Sequence, residues 1–338
     1  MWYPLKFEPI LKEVIWGGER ICAYKSLAGK GDGIGESWEI SQVENHVSLV
    51  SEGPLRGRSL SELIAMDATG LLGARVRARF GDRFPLLVKF IDAKRDLSVQ
   101  VHPDDAAARR HHGPSASGKT EMWYVLESEA DSELVTGFSK DIDLEEYKQR
   151  IAEDSIEEVL HREHPAGGDV FFIPPGCVHA IGKGILLAEI QQSSDYTYRL
   201  YDYNRVDSDG RRRELHTDLA AEVLDYSRNT DSRIRYQRAV NQAVTLADCP
   251  YFTTNLLELN AEAGPGAVRR DLLALDSFVI CICTEGSARL VCLAEGASGK
   301  EEKETVLRQG ETVLIPARQA DYCLLPQPKA TILETYIG

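Results

Sequence analysis

The chain has 338 residues and a formal net charge of −14, from 39 basic against 53 acidic side chains. Its length and its 43% apolar share allow one large or two ordinary domains with real cores, and the negative balance argues against a nucleic-acid or anionic-membrane surface. No apolar run reaches the eighteen or so residues of a membrane span, no basic-then-apolar leader opens the chain, and the seven cysteines form no CxxC pair or regular framework, so a reducing cytoplasm is expected.

Residues 1–50 read as short strands broken by turns. Gly29 to Gly35 is glycine-rich but lacks the Gly-Lys-Ser/Thr ending of a phosphate loop, and reads as a loop leading into Glu36-Ser-Trp-Glu39. Ser59-Leu-Ser-Glu62 is a capping box and opens a helical stretch that resumes at Leu71 to Phe80. Pro85 to Asp92 is a buried-type strand carrying a single lysine, Lys89. Leu97 to His102 is a second strand, on which Ser98, Gln100 and His102 share one face because strand side chains alternate. Asp104 to Lys119 reads as a polar loop with a helical start, and its His111-His112 pair as solvent-facing. Lys119 and Glu121 again share a face, entering the strand Met122 to Leu126.

Asp141 to His164 predicts a helical pair from the spacing of Leu144, Tyr147 and Ile151 and then Ile156, Val159 and Leu160, with His161 and His164 at its end. Gly168 to His179 then reads as a strand, a Pro174-Pro175-Gly176 corner and one histidine aimed back across the barrel, since proline presets the turn and glycine allows a backbone that side chains resist. Ile185 to Gln192 is another strand, with Glu189 and Gln191 on one face. Asp207 to Arg213 reads as a turn with a solvated charge run, Thr217 to Tyr226 as a helix, and the stretch to about 239 as a linker. Beyond 240, short strands with turn signals predict a second antiparallel barrel. Its Gly310 to Pro316 echoes Gly168 to Pro174 without a following histidine, so this half is expected to bind no metal.

His102, Glu121 and His179 make a reasonable shell for zinc or another divalent first-row metal, with Gln100 as a weak fourth ligand and room for water or substrate. The same two-histidine, one-carboxylate set also suits non-haem iron, so an iron-dependent dioxygenase is a rival reading.

Taken in order, Leu97 to Asp104, Lys119 to Glu121, Pro175 to Ala180 and Tyr198 to Tyr203 resemble the type I mannose-6-phosphate isomerase (phosphomannose isomerase) family of the cupin superfamily, in its short bacterial form. Trp16-Gly-Gly18 and Gly35 to Glu39 add to the likeness, which covers about residues 1–210 closely and the remainder loosely. The resemblance implies a mainly β fold of two cupin-like (jelly-roll) barrels with a small helical insertion. Residues 1–238 would form the catalytic domain, with helical insertions at about 59–80 and 141–164, and 239–338 a metal-free domain. It implies one zinc ion per chain on His102, Glu121 and His179, with Gln100 added in some members. It further implies Arg199 as an active-site arginine, Lys119 as a catalytic candidate, and Lys89, Ser98 and Arg205 holding phosphate. The expected activity is interconversion of mannose 6-phosphate and fructose 6-phosphate by zinc-assisted proton transfer between C1 and C2 through an enediol. The expected partner is a small sugar phosphate, with no nucleic acid or membrane, on a monomer or homodimer. A paralogue that binds sugar phosphate without turnover is the other alternative. Cys177 stands where threonine or serine is commoner in the family and raises the question of thiol sensitivity.

Overall fold

The structure is a computed structural model that describes residues 2–27, 31–206, 210–229, 231–264, 266–296 and 299–338, without the side chains of 293–301. The glycine-rich loop is therefore described from Gly31 onward, and the first three residues of the 207–213 turn lie outside the described residues.

Strand alternation organises the N-terminal part. A seven-stranded sheet includes Ile34–Ile40, Leu86–Ala93, Glu121–Ser128, Val170–Ile173 and Ile185–Gln192, and a five-stranded sheet includes Val99–Val101, Leu134–Phe138, Leu160–Glu163, His179–Ile181 and Tyr198–Tyr201. The chain repeatedly leaves one sheet and enters the other. Between the two, a core of Ile91, Trp123, Phe171, Ile173 and Leu187 from the first meets Leu97, Leu134 and Ile181 from the second. Alternate residues of the same strands point away. Val88, Phe90, Met122, Tyr124 and Ala188 form a second core with the helices at 60–80 and with Ile280, Ile282 and Leu314 of the C-terminal sheet. Val99, Val101 and Val135 pack outward on Tyr147 and Ala220 of the helices Leu144–Ala152 and Thr217–Val223. Each fully buried side chain of this kind stabilises the fold by roughly 1.5–3 kcal/mol.

The two barrels expected from the sequence are observed as open sheets. Pro174 and Pro175 lie where the chain passes from the seven-stranded to the five-stranded sheet, and proline has no N–H to continue a ladder at that corner. The C-terminal part is an eight-stranded sheet. Its long strands Val279–Gly296 and Asp321–Tyr336 shift register near Glu285 and Ser287 and enclose a further core of Cys281, Cys283, Leu290, Tyr322 and Ile332. One of this sheet's eight strands is Leu5–Lys6 from the start of the chain, with Leu5 opposite Leu314.

The capping box at Ser59 is formed in full, and the helix Leu60–Leu72 is interrupted at Asp67. The expected second helix of 141–164 is absent. Asp154 adopts a left-handed backbone after Ala152, a short 3-10 turn covers Ile156–Val159, and Leu160–Glu163 then pairs as a strand with Leu134–Phe138. His161 and His164 thus flank a sheet edge and cap no helix. The echo at Gly310 is structural: Gly168 and Gly310 both have positive φ, 91° and 77°, before the equivalent strands Val170–Ile173 and Thr312–Ile315.

Candidate metal centre and active site

The three proposed ligands come from both sheets and meet between them. His102 follows Val99–Val101, His179 opens the neighbouring strand opposite Gln100, and Glu121 opens the strand that faces them. Nε2 of His102 lies 3.1 Å from Glu121 Oε1, and Nε2 of His179 lies 3.7 Å from Oε2. The three residues' ligand atoms all fall within 4.8 Å of one another, and each residue is at most 1% exposed.

Each imidazole is oriented through its other nitrogen. His102 Nδ1 is 3.0 Å from the Tyr196 carbonyl and His179 Nδ1 is 2.9 Å from the Cys177 carbonyl, so both Nδ1 atoms donate and both Nε2 lone pairs face Glu121. Burial, with the Lys119 charge nearby, pushes the pKa of His102 down to about 3 and lowers that of His179, which keeps both rings neutral. For Glu121 burial works toward protonation, but Lys119, with Nζ 3.0 Å from Oε1, and the two histidines hold the carboxyl well below its usual range.

His102 Nε2 and both Glu121 oxygens are buried without an aligned hydrogen bond. Leaving such atoms orphaned is costly, and two imidazole nitrogens with a carboxylate are donors that a divalent ion satisfies. The residues present therefore fit a metal. Gln100 is within reach, its side-chain nitrogen 3.2 Å from His179 Nε2.

The remaining predicted residues spread outward from this centre. Arg199 lies opposite Gln100 in the neighbouring strand, and its guanidinium donates to Ser98 Oγ at 3.2 Å and to the Glu214 carbonyl at 2.8 Å. Lys89 is on the inner face of the other sheet, 4% exposed, with Nζ 3.0 Å from Glu189 Oε1 and 3.9 Å from Glu36. Arg205 is held by Asp202 and the Asp96 carbonyl, and its contacts are with that cluster and not with the metal ligands.

Several participants escaped the sequence reading. Glu189 lies directly opposite Lys89 and accepts the Trp123 indole N–H at 3.1 Å, while Trp123 packs edge-on against His179. The signal was available, since a carboxylate in a buried-type strand needs a partner. Arg213, expected in a solvated charge run, instead shares Asp202 with Arg205 and donates to it at 2.8 Å. His111 and His112 are not merely solvent-facing: both meet the Tyr198 hydroxyl, at 2.8 and 2.9 Å. Cys177 is buried, and burial pushes its thiol up to about 12, which answers the question of thiol sensitivity with an inert side chain.

Stacked sheets with a buried cluster of two histidines and one carboxylate on their inner face define a fold of the cupin type with a candidate metal site. The family model for the type I phosphomannose isomerase catalytic domain matches residues 5–140. Over 325 residues the chain is 35% identical to the mannose-6-phosphate isomerase ManA of Bacillus subtilis, spanning 96% of this chain and 93% of that protein. Over 318 residues it is 33% identical to the mannose-6-phosphate isomerase of Streptococcus mutans, spanning 93% and 92%. The crystal structure of mannose 6-phosphate isomerase from Bacillus subtilis superposes with a TM-score of 0.82 at 30% identity, covering 99% of each chain. The chain belongs to the type I phosphomannose isomerase family.

Proposed function

We propose that this protein interconverts mannose 6-phosphate and fructose 6-phosphate with one zinc ion per chain on His102, Glu121 and His179, and with Gln100 as an additional ligand. The observation that carries the reading is the set of buried ligand atoms without hydrogen bonds in a chain of this family. When bound, the ion supplies Lewis-acid stabilisation of the charge that develops on the sugar oxygens. Half a turn of the Gln100 amide presents its oxygen where the nitrogen now lies, which suits a weak ligand.

The chain's own groups carry the proton chemistry. A proton leaves C2 of the aldose, giving an enediol, and is returned to C1. Lys119, buried beside Glu121, is the proposed acid/base, holding the proton at Nζ. Arg199 faces the same strand as Gln100 and contributes a fixed positive charge to the enediolate oxygens. Lys89, Ser98 and Arg205 are the proposed phosphate side, with Ser98 already tied to Arg199 and Arg205 pinned by Asp202. The buried charges agree with an anionic substrate: Lys89 and Lys119 balance Glu121 and Glu189, so an added divalent cation leaves an excess of two positive charges for a phosphate dianion to match.

Among the described residues no helix is long and apolar enough to cross a membrane. The seven free cysteines support a cytoplasmic location. Residues 1–238 are proposed as the catalytic domain, and the whole protein as a monomer or homodimer. A coupled assay with mannose 6-phosphate, run with Glu121→Gln as control and with metal analysis of the preparation, tests the proposal. Tight binding without product marks a binding paralogue, and oxygen consumption with bound iron marks a dioxygenase.

A further inference from the structure

We infer that His112 is a positioning residue for the metal ligand His102, acting through Tyr196. The inference rests on the reading of His102, Glu121 and His179 as a metal site, and concerns what holds one of those ligands in place.

The carbonyl that orients His102 belongs to Tyr196, which lies in the irregular segment between the strands Ile185–Gln192 and Tyr198–Tyr201. No ladder holds that carbonyl. The Tyr196 N–H has only a long contact, 3.5 Å, to Ser194 Oγ. The tyrosine ring is what is fixed. It stacks flat on the imidazole of His112, with ring centroids 3.9 Å apart and planes 4° from parallel.

His112 is itself anchored at both levels. Its Nε2 lies 2.9 Å from the Tyr198 hydroxyl, which also meets His111 Nδ1 at 2.8 Å, and Tyr198 is 2% exposed. It is also the last residue of the helix Asp105–His112, whose first turn is held rigidly. Asp104 accepts from Ala107, and the Asp105 carboxylate accepts from Gly118, Gln192 and Tyr251. That helix begins just past His102-Pro103. The chain therefore leaves the ligand, runs up one helix, and returns through a ring stack to the carbonyl that sets the ligand's tautomer and direction. Ligand orientation of this kind tunes metal affinity, because a ligand that must be ordered on binding binds more weakly.

The test is zinc affinity of the purified full-length protein, measured by competition with a chromophoric chelator, beside the melting temperature of the metal-free protein. His112→Ala is expected to weaken zinc binding about tenfold, the low end for an outer contact, with the metal-free melting temperature within about 2 °C of the parent. His112→Phe keeps a flat ring without the imidazole nitrogens and is expected to stay within about threefold of the parent. Unchanged affinity in His112→Ala overturns the inference. Equal loss in both variants also overturns it, since the Tyr198 contact and not the stack would then be at work. A parent protein that binds no zinc overturns it together with the metal-site reading, and is distinguished from the other outcomes by the parent measurement alone.

Discussion

The buried Lys89–Glu189 pair makes a quantitative prediction. At a separation of 3.0 Å and an effective dielectric constant of about 20, the two charges attract by about 5–6 kcal/mol. Lys89→Met removes the cation and leaves Glu189 buried, with one oxygen still accepting from Trp123. Breaking one side of such a pair costs about 3–5 kcal/mol. At an unfolding entropy of about 2.1 cal/mol/K per residue, a cooperative melt of 338 residues moves by about 1.4 °C per kcal/mol, so the expected drop is about 4–7 °C. The loss depends on pH, and its sign is fixed. Burial, with repulsion from Glu121, already raises the pKa of Glu189 above its ordinary value, and Lys89 opposes that rise. Without Lys89 the folded chain holds a proton there that the unfolded chain releases above about pH 5. Stability then falls as pH rises, by at most about 1.4 kcal/mol per pH unit while that proton is held. The single variant is therefore expected to melt near the parent at pH 5.5 and well below it at pH 8. Lys89→Met/Glu189→Gln carries no charge at either position and is expected to recover most of the loss, with no added slope. Melts of the three proteins across that range check it. A pH-independent deficit in the single variant, or no recovery in the double, refutes the reasoning.

Three further outcomes follow from the site. Dialysis against a strong chelator is expected to abolish turnover and lower the melting temperature, with both restored by zinc, and full activity in a verified metal-free sample rules out a catalytic metal. Arg199→Lys should keep its metal content while kcat falls about 100-fold, because a point charge cannot reproduce the fork that holds Ser98 and the Glu214 carbonyl and is proposed to face the enediolate; an unchanged kcat removes Arg199 from the chemistry. Cys177, with its thiol pushed up to about 12 by burial, is expected to resist iodoacetamide at pH 8 in the folded protein and to react after denaturation, as read by mass spectrometry.

The cluster of His102, Glu121 and His179 was legible in the sequence because much of its assembly follows short-range rules. Period-two alternation puts Gln100 and His102 on one face, and Pro174-Pro175-Gly176 turns the chain so that His179 lands opposite Gln100. What stayed hidden depends on partners far along the chain. Leu160–Glu163 carries helical spacing, but its edge hydrogen bonds go to Leu134–Phe138, and that ladder wins over local periodicity. His111 and His112 sit among arginines and glycine, and only the arrival of Tyr196 and Tyr198, more than eighty residues later, gives them work. Lys89 was visible as a buried charge, but its counter-charge Glu189 is set by sheet register across one hundred residues.

The two halves of the molecule share a glycine-led strand yet differ in how their buried carboxylates are satisfied. In the C-terminal sheet Glu334 is fully buried and accepts from Arg270 at 2.7 and 2.6 Å, from Asn255 at 2.9 Å and from the Tyr322 hydroxyl. Every oxygen of that carboxylate is engaged by hydrogen bonds from the chain itself. Glu121 is equally buried, yet neither of its oxygens has an aligned hydrogen bond, and the neighbouring His102 Nε2 is unpaired as well. Lys119 balances the charge of Glu121 without an aligned hydrogen bond, and a divalent ion would complete both carboxylate oxygens and His102 Nε2. The two halves thus differ in whether a buried carboxylate is completed by hydrogen bonds from the chain itself, as Glu334 is, or keeps oxygens that the proposed ion would complete, as Glu121 does.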